Sequence, residues 1–227
     1  MTWVKICATT NLYDAQASVA AGANALGFIF APGTRRVEVG TAAEIIMALP
    51  AEVEKIGVFV NEMPERVAEI AQQVGLTGVQ LHGDEPAAQL AEFRQRLAGR
   101  KLIKTLQAGE LLAEVGGRRL QDYLEARGSI DATLLDSGRR GDRGGTGVTF
   151  DWEMALPIVH RIKAVLPVVI AGGLTVENVE KAIRLFEPWG VDVVSGVERE
   201  TGKKDEAKLL NFIAAARSSY LSAGIRG

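Results

Sequence analysis

The chain holds a single cysteine, Cys7, two residues after Lys5, so a strand through Val4-Lys5-Ile6-Cys7 turns both side chains to one face, with Lys5 one layer below. A thiol there could act as a base or nucleophile, or be a small buried hydrophobe. Unperturbed, with a pKa of about 8.5, it is a few per cent ionised at neutral pH, and full ionisation costs about 2 kcal/mol unless a cation or helix N-terminus lies close. Asp136 ends the run Leu134-Leu135 and opens a loop over 137–147 rich in glycine and arginine. Desolvation would raise its pKa and suit it to general-acid work, nearby arginines would oppose that, and a loop-start aspartate can also cap backbone amides.

Two glycine turns follow apolar runs late in the chain, Ala171-Gly172-Gly173-Leu174-Thr175 and Ser195-Gly196-Val197-Glu198. Their backbone N–H groups could converge on one phosphate, or each could be a plain tight turn. Arg35 and Arg36 follow Ala31-Pro32-Gly33-Thr34 and could hold a carboxylate bidentately or be solvated loop charges. Lys104 is placed for a Schiff base or for a structural charge. His82, in Gln80-Leu81-His82-Gly83, could line the mouth of a site, while His160 reads as structural. With two histidines, no His-x-x-x-His and no acidic cluster, no metal is expected. The G-x-G fingerprint after a first strand is absent, so no nicotinamide or flavin cofactor is expected.

Such groups must be carried on strands that end at one face. Short apolar runs recur about every 25 to 30 residues, at 4–7, 25–29, 55–59, 78–81, 101–104, 133–136, 168–171 and 191–194, each followed by a loop and a helix-period segment. Continuous apolar runs suit strands covered on both faces. Helices are expected near 12–21, 41–48, 64–74, 86–98, 109–125, 152–162, 176–186 and 204–217. Thr41 and Glu44 have capping-box spacing, Asn11 and Asp14 resemble it, Pro64 and Pro86 suit first turns, and Gly22, Gly75 and Gly99 suit helix ends. Gly116-Gly117 should interrupt the fifth helix. Eight strands alternating with eight helices predict a single-domain (β/α)8 TIM barrel over 1–227, with a frayed tail from 220 to 227. The rival is a doubly wound open sheet, which places its glycine-rich phosphate loop after the first strand; here the glycine turns come late. In a barrel the strand ends put Cys7, Lys104, Asp136 and both glycine turns on the active face.

Composition bounds the partners. In 227 residues, 47% are hydrophobic and 24% charged, an ordinary globular balance. Lys plus Arg total 26 against 28 Asp plus Glu, a net charge of -2 that argues against nucleic acid or an anionic membrane as partner. One cysteine allows no internal disulfide, the first residues read straight into a strand without a leader, and no apolar stretch reaches 18 residues, so a reducing, cytoplasmic setting is expected. The expected assembly is a monomer or weak homodimer.

These motifs, in order, resemble the phosphoribosylanthranilate isomerase family of tryptophan biosynthesis. The resemblance runs from Lys5 to about Arg217 and rests on Val4-Lys5-Ile6-Cys7, Gly27-Phe28-Ile29-Phe30 with Pro32 and Arg35-Arg36, and Gly57-Val58-Phe59-Val60-Asn61. It continues through Val79-Gln80-Leu81-His82-Gly83, Leu134-Leu135-Asp136, Gly144-Gly145-Thr146-Gly147 with Phe150-Asp151-Trp152, Ala171-Gly172-Gly173-Leu174 and Val191-Asp192-Val193-Val194-Ser195-Gly196-Val197-Glu198. It implies a cofactor-free Amadori rearrangement of a small phosphosugar, N-(5-phosphoribosyl)anthranilate, with Asp136 as general acid and Cys7 as general base. It further implies that Arg36 binds the anthranilate carboxylate, that Asp192 orients a sugar hydroxyl, that Gly172, Gly173, Ser195 and Gly196 cradle the phosphate, and that Gly145 and Thr146 belong to a lid beside it. The family usually has glycine after the base where this chain has Ala8; a positive φ there would strain alanine by roughly 1 kcal/mol.

Two other functions fit the same barrel. One is a different phosphosugar enzyme, an indole-glycerol-phosphate synthase or a lysine-dependent aldolase using Lys104. The other is a non-catalytic phospholigand-binding barrel in which Ala8 has disabled the first loop.

Overall fold

The computed structural model describes residues 1–97, 99–113, 117–137 and 151–223, the side chains of 219–223 excepted. Eight parallel strands close into a barrel: β1 (Trp3–Ile6), β2 (Ala25–Ile29), β3 (Glu54–Phe59), β4 (Gly78–Leu81), β5 (Lys101–Gln107), β6 (Ala132–Asp136), β7 (Val168–Ile170) and β8 (Gly190–Val193). Each pairs with its sequence neighbours and β1 pairs with β8, so the repeat of apolar runs builds the parallel (β/α)8 barrel and not an open sheet. The runs need no polar face because both faces are buried. Trp3, Ala25, Ile56, Ile103, Ala132, Leu134, Val169 and Ala171 form one cluster inside the ring, and a larger cluster, from Val4 to Ala216, fills the space between ring and helices.

The helices that cover the ring start and stop for local reasons. Helix α1 (Leu12–Ala20) is capped by Asn11, whose side chain accepts the Asp14 N–H at 2.8 Å. Helix α3 (Pro64–Val74) has Pro64 in its first turn and ends at Gly75, φ +76°. The capping box at Thr41 and Glu44 does not form. Helix α2 (Val39–Met47) begins two residues earlier, because Val37 still bonds Ile29 in the ring and the Glu38 carbonyl accepts the Ala42 N–H, leaving Thr41 inside the helix.

Pro86 caps a short 3₁₀ turn (Ala87–Gln89) that leads into α4 (Leu90–Arg96), so the regular helix there is shorter than expected. The expected break at the glycine pair is present: α5 (Ala108–Ala113) and α6 (Arg118–Glu125) are separate, and Gly117 has φ +64°. After α7 (Trp152–Lys163), helix α8 (Val179–Phe186) starts three residues late, since the Asn178 side chain accepts the Thr175 N–H and bonds the Gly173 carbonyl instead of continuing a helix. A small hairpin, β9 (Glu198–Glu200) and β10 (Lys203–Lys204), precedes α9 (Glu206–Ala223), which carries into the tail read from 220.

Lys104 is not a strand-end group. Strand β5 runs three residues further, pairing Gln107 with Asp136. The alternation that turns Ile103 inward sends Lys104 outward, where it is buried against Glu85 at 2.7 Å and the Gly83 carbonyl at 2.7 Å. At the N-terminal end of the ring, Trp3 stacks on Trp189 at 4.7 Å, and Lys101, paired with Glu54, lies 5.5 and 5.0 Å from their ring centres. That end is closed by packing.

Candidate active site

A cavity of about 240 Å³ opens at the C-terminal end of the strands, and Cys7, His82, Asp136 and Asp192 all line it. Ile29, Pro32, Val58 and Val60 give it one apolar side. The polar residues reach it because period-2 alternation turns these positions, in or just past four of the strands, toward the inside of the ring.

Cys7 stands just past β1, its N–H bonded to the Val193 carbonyl at 2.9 Å. Space for the thiol comes from Gly27 on β2: a Cβ there would lie 2.5 Å from the sulfur. The chain then turns sharply. Ala8 has φ +63°, the left-handed conformation that strains alanine, and Thr9 returns to bond the Gly27 carbonyl. Burial pushes the Cys7 thiol above its ordinary pKa, Lys5 pulls it down, and Asp192 pushes it up again.

Beneath the thiol is a polar layer. The Lys5 ammonium, 0% exposed, donates to Asp192 and to Gln80 Oε1, both at 2.8 Å. Burial opposes that charge, but Asp192 and Cys7 together outweigh it, and the Lys5 pKa is raised. An ammonium can only donate, so Gln80 must present oxygen to Lys5 and its amide nitrogen to His82 Nδ1, 2.8 Å away. That hydrogen bond makes Nδ1 an acceptor and places the imidazole proton on Nε2. His82 Nε2 is buried with no partner among the described residues, and burial lowers the His82 pKa despite the Asp136 charge, so a neutral Nε2–H is left for a ligand.

Asp136, the last residue of β6, is buried at the far side of the cavity, three strands from β1 through β8 and β7. The glycine turns lie beside it. Gly172 (φ +81°) packs so closely on the β6 end that a Cβ would be 2.3 Å from the Ser137 nitrogen. Gly196, in a 3₁₀ turn at Ser195–Val197, approaches the Leu174 carbonyl to a hypothetical Cβ distance of 2.0 Å. Gly173 (φ +69°) is held by Asn178. Three loop backbones therefore meet where any side chain larger than hydrogen would separate them. Gly145 and Thr146 lie outside the described residues.

The two arginines have different fates. Arg35 lines the cavity, and Glu198 clasps its guanidinium with contacts of 2.7, 2.9 and 3.1 Å. Burial opposes the Glu198 carboxylate, but Arg35 and Lys204 hold its pKa below the ordinary value. Arg36 is half-exposed beside Glu38 at 3.5 Å and does not line the cavity. The sequence reading missed Gln80, Glu198 and Lys204 as parts of the site. Gln80 shares His82's strand alternation, a usable signal. Lys204, which donates to the Cys7 carbonyl at 2.6 Å from 197 residues away, carried none. Among the described residues no group of three or more His, Cys, Asp or Glu could hold a metal ion, and no helix is long and apolar enough to cross a membrane.

Residues 4–215 match the family profile of N-(5'-phosphoribosyl)anthranilate (PRA) isomerase. The N-(5'-phosphoribosyl)anthranilate isomerase of Desulforudis audaxviator is 43% identical over 220 residues, covering 96% of this chain and 100% of that protein. The phosphoribosyl anthranilate isomerase structure from Thermotoga maritima superposes with a TM-score of 0.80 at 39% identity, over 96% of this chain and 100% of that one. A second isomerase structure, in complex with reduced 1-(o-carboxyphenylamino)-1-deoxyribulose 5-phosphate, gives 0.77 at 39% identity with the same coverage. With a match over nearly its whole length and a barrel of the same form, the chain belongs to the N-(5'-phosphoribosyl)anthranilate isomerase family.

Proposed function

We infer that the chain converts N-(5-phosphoribosyl)anthranilate to 1-(2-carboxyphenylamino)-1-deoxyribulose 5-phosphate in tryptophan biosynthesis. The observation that carries this reading, beside family membership, is that a buried thiol and a buried carboxyl, Cys7 and Asp136, line one cavity next to a glycine-built loop junction.

The steps move only protons and electron pairs, so the chemistry needs no redox partner. The Asp136 carboxylic acid gives its proton to the furanose oxygen as the C1–O bond breaks, and the anthranilate nitrogen lone pair forms the C1=N bond. The Cys7 thiolate takes the C2 proton, the C–H electron pair becomes C1=C2 as the C1=N π pair returns to nitrogen, and the resulting enolamine tautomerises to the ketone, losing the C2 hydroxyl proton and gaining one at C1. Each positioned acid or base contributes about 10² to 10⁴ in rate. Backbone N–H groups around Gly172, Gly173, Ser195 and Gly196 would hold the phosphate. Asp192 would orient a sugar hydroxyl, and His82 Nε2–H would donate to the substrate. Arg36 suits the carboxylate: its exposed pair with Glu38 is worth at most about 1 kcal/mol and is easily exchanged, whereas Arg35 is committed to Glu198. An aldolase reading has no lysine to use in Lys104, which faces away from the cavity.

The assay is loss of the substrate's anthranilate fluorescence at catalytic enzyme concentration. Turnover supports the isomerase, and stoichiometric binding without turnover would return the non-catalytic barrel. A cytoplasmic, monomeric or weakly dimeric protein is the corresponding expectation, and sedimentation tests the assembly.

A further inference from the structure

The base assignment leaves a physical difficulty. Cys7 is buried, and burial pushes its thiol toward the protonated form that cannot accept a proton. Something must favour the thiolate, and it must do so without occupying the cavity.

Lys5 meets both conditions. It shares the inward face of β1 with Cys7, one layer deeper, and does not line the cavity. Its ammonium has three N–H groups; two are used by Asp192 and Gln80, and its charge also favours the Cys7 thiolate. Its own raised pKa keeps it charged at the pH where the thiol ionises. The other charges around Cys7 are differently placed. Lys204 on β10 also favours the thiolate by its charge, less than Lys5 does, but spends its donors on the Cys7 and Val194 carbonyls and Glu198, and Arg35 is clasped by Glu198. Asp192 on β8 opposes ionisation, while His82 just past β4 and Asp136 on β6 line the same cavity as Cys7.

We propose that Lys5 is a positioning residue for the reaction: from beneath the substrate site its ammonium stabilises the Cys7 thiolate, and Asp192 and Gln80 fix the ammonium in place. The inference rests on Cys7 being the base, but its direct consequence, control of the thiol's ionisation by Lys5, can be read without turnover. Because the chain has one cysteine, iodoacetamide labelling reports Cys7 alone. A role confined to packing would leave the pH profile of labelling in the folded protein unchanged.

The test measures the labelling rate against pH in the full chain, as wild type, Lys5→Met and Lys5→Arg, with steady-state kinetics alongside. In Lys5→Met the midpoint should rise by at least about one pH unit, so that the rate below it falls about tenfold or more. kcat should fall by a similar factor, with KM changed less than about threefold, because Lys5 does not touch substrate. Lys5→Arg, which keeps the charge, should recover most of the labelling rate. If Lys5→Met does not fold, because it orphans Asp192, the Lys5→Met/Asp192→Asn double variant leaves no unpaired buried charge. It should label more slowly than wild type, by a smaller factor, since an opposing charge is lost too. A wild-type labelling profile in whichever variant folds overturns the role of Lys5. Wild-type turnover in Cys7→Ser, with labelling still slowed in Lys5→Met, overturns the base assignment instead.

Discussion

Gly27 on β2 makes room for the Cys7 sulfur: a methyl group in place of its hydrogen would sit 2.5 Å from Sγ and 3.1 Å from the Cys7 Cα. The first contact is not tolerable and the second is tight, so Gly27→Ala must move the thiol or part β1 from β2. A reacting group misplaced by about 1 Å costs about 10²-fold in rate. The expected result is a kcat lowered by about that factor, with phosphate affinity, measured with inorganic phosphate as competitor, within about threefold of wild type. Wild-type kcat in the folded variant would show that the position of the thiol is not critical.

The pH dependence of kcat/KM follows from the Cys7 environment. Burial holds the free-enzyme thiol above its ordinary pKa, so the fraction of active thiolate grows as pH rises. The limb attributed to Cys7 should climb about tenfold per pH unit and still be rising at about pH 8.5, the ordinary thiol value. Steady-state kinetics across the alkaline range, with a parallel stability control, measures this. A limb that levels off well below that value would contradict the direction given for this thiol.

His82 makes the fold sensitive to acid. Its imidazole is held neutral by burial, while in the unfolded chain it takes up a proton near pH 6.5. The unfolded state therefore binds more protons as pH falls through that value, and stability that is full above about 6.5 declines below it. Denaturant midpoints at a series of pH values should show the decline, and His82→Gln should flatten the part of it that begins near 6.5. An unchanged slope in the variant would assign the acid sensitivity to other groups.

Local chemistry was legible in the residues and tertiary pairing was not. The strands announced themselves as continuous apolar runs, and Asn11 and Gly75 marked helix ends. Those signals act within a few residues. Lys5 and Asp192 are 187 residues apart, Arg35 and Glu198 163, and each pair meets only because the ring closes. Lys104 misled for the same reason: its strand continues to Gln107 in register with Asp136, a neighbour that local sequence does not reveal. The β9–β10 hairpin, two very short strands without an apolar run, had no periodic signal at all.

The most direct measurement is the turnover of N-(5-phosphoribosyl)anthranilate by folded Cys7→Ser and Asp136→Asn. Two groups that each move one proton in a shared sequence should each be worth about 10² or more in kcat. A loss of that size in both variants, with inorganic phosphate still competing at wild-type strength, is the predicted result; wild-type kcat in either would contradict the assignment of acid and base.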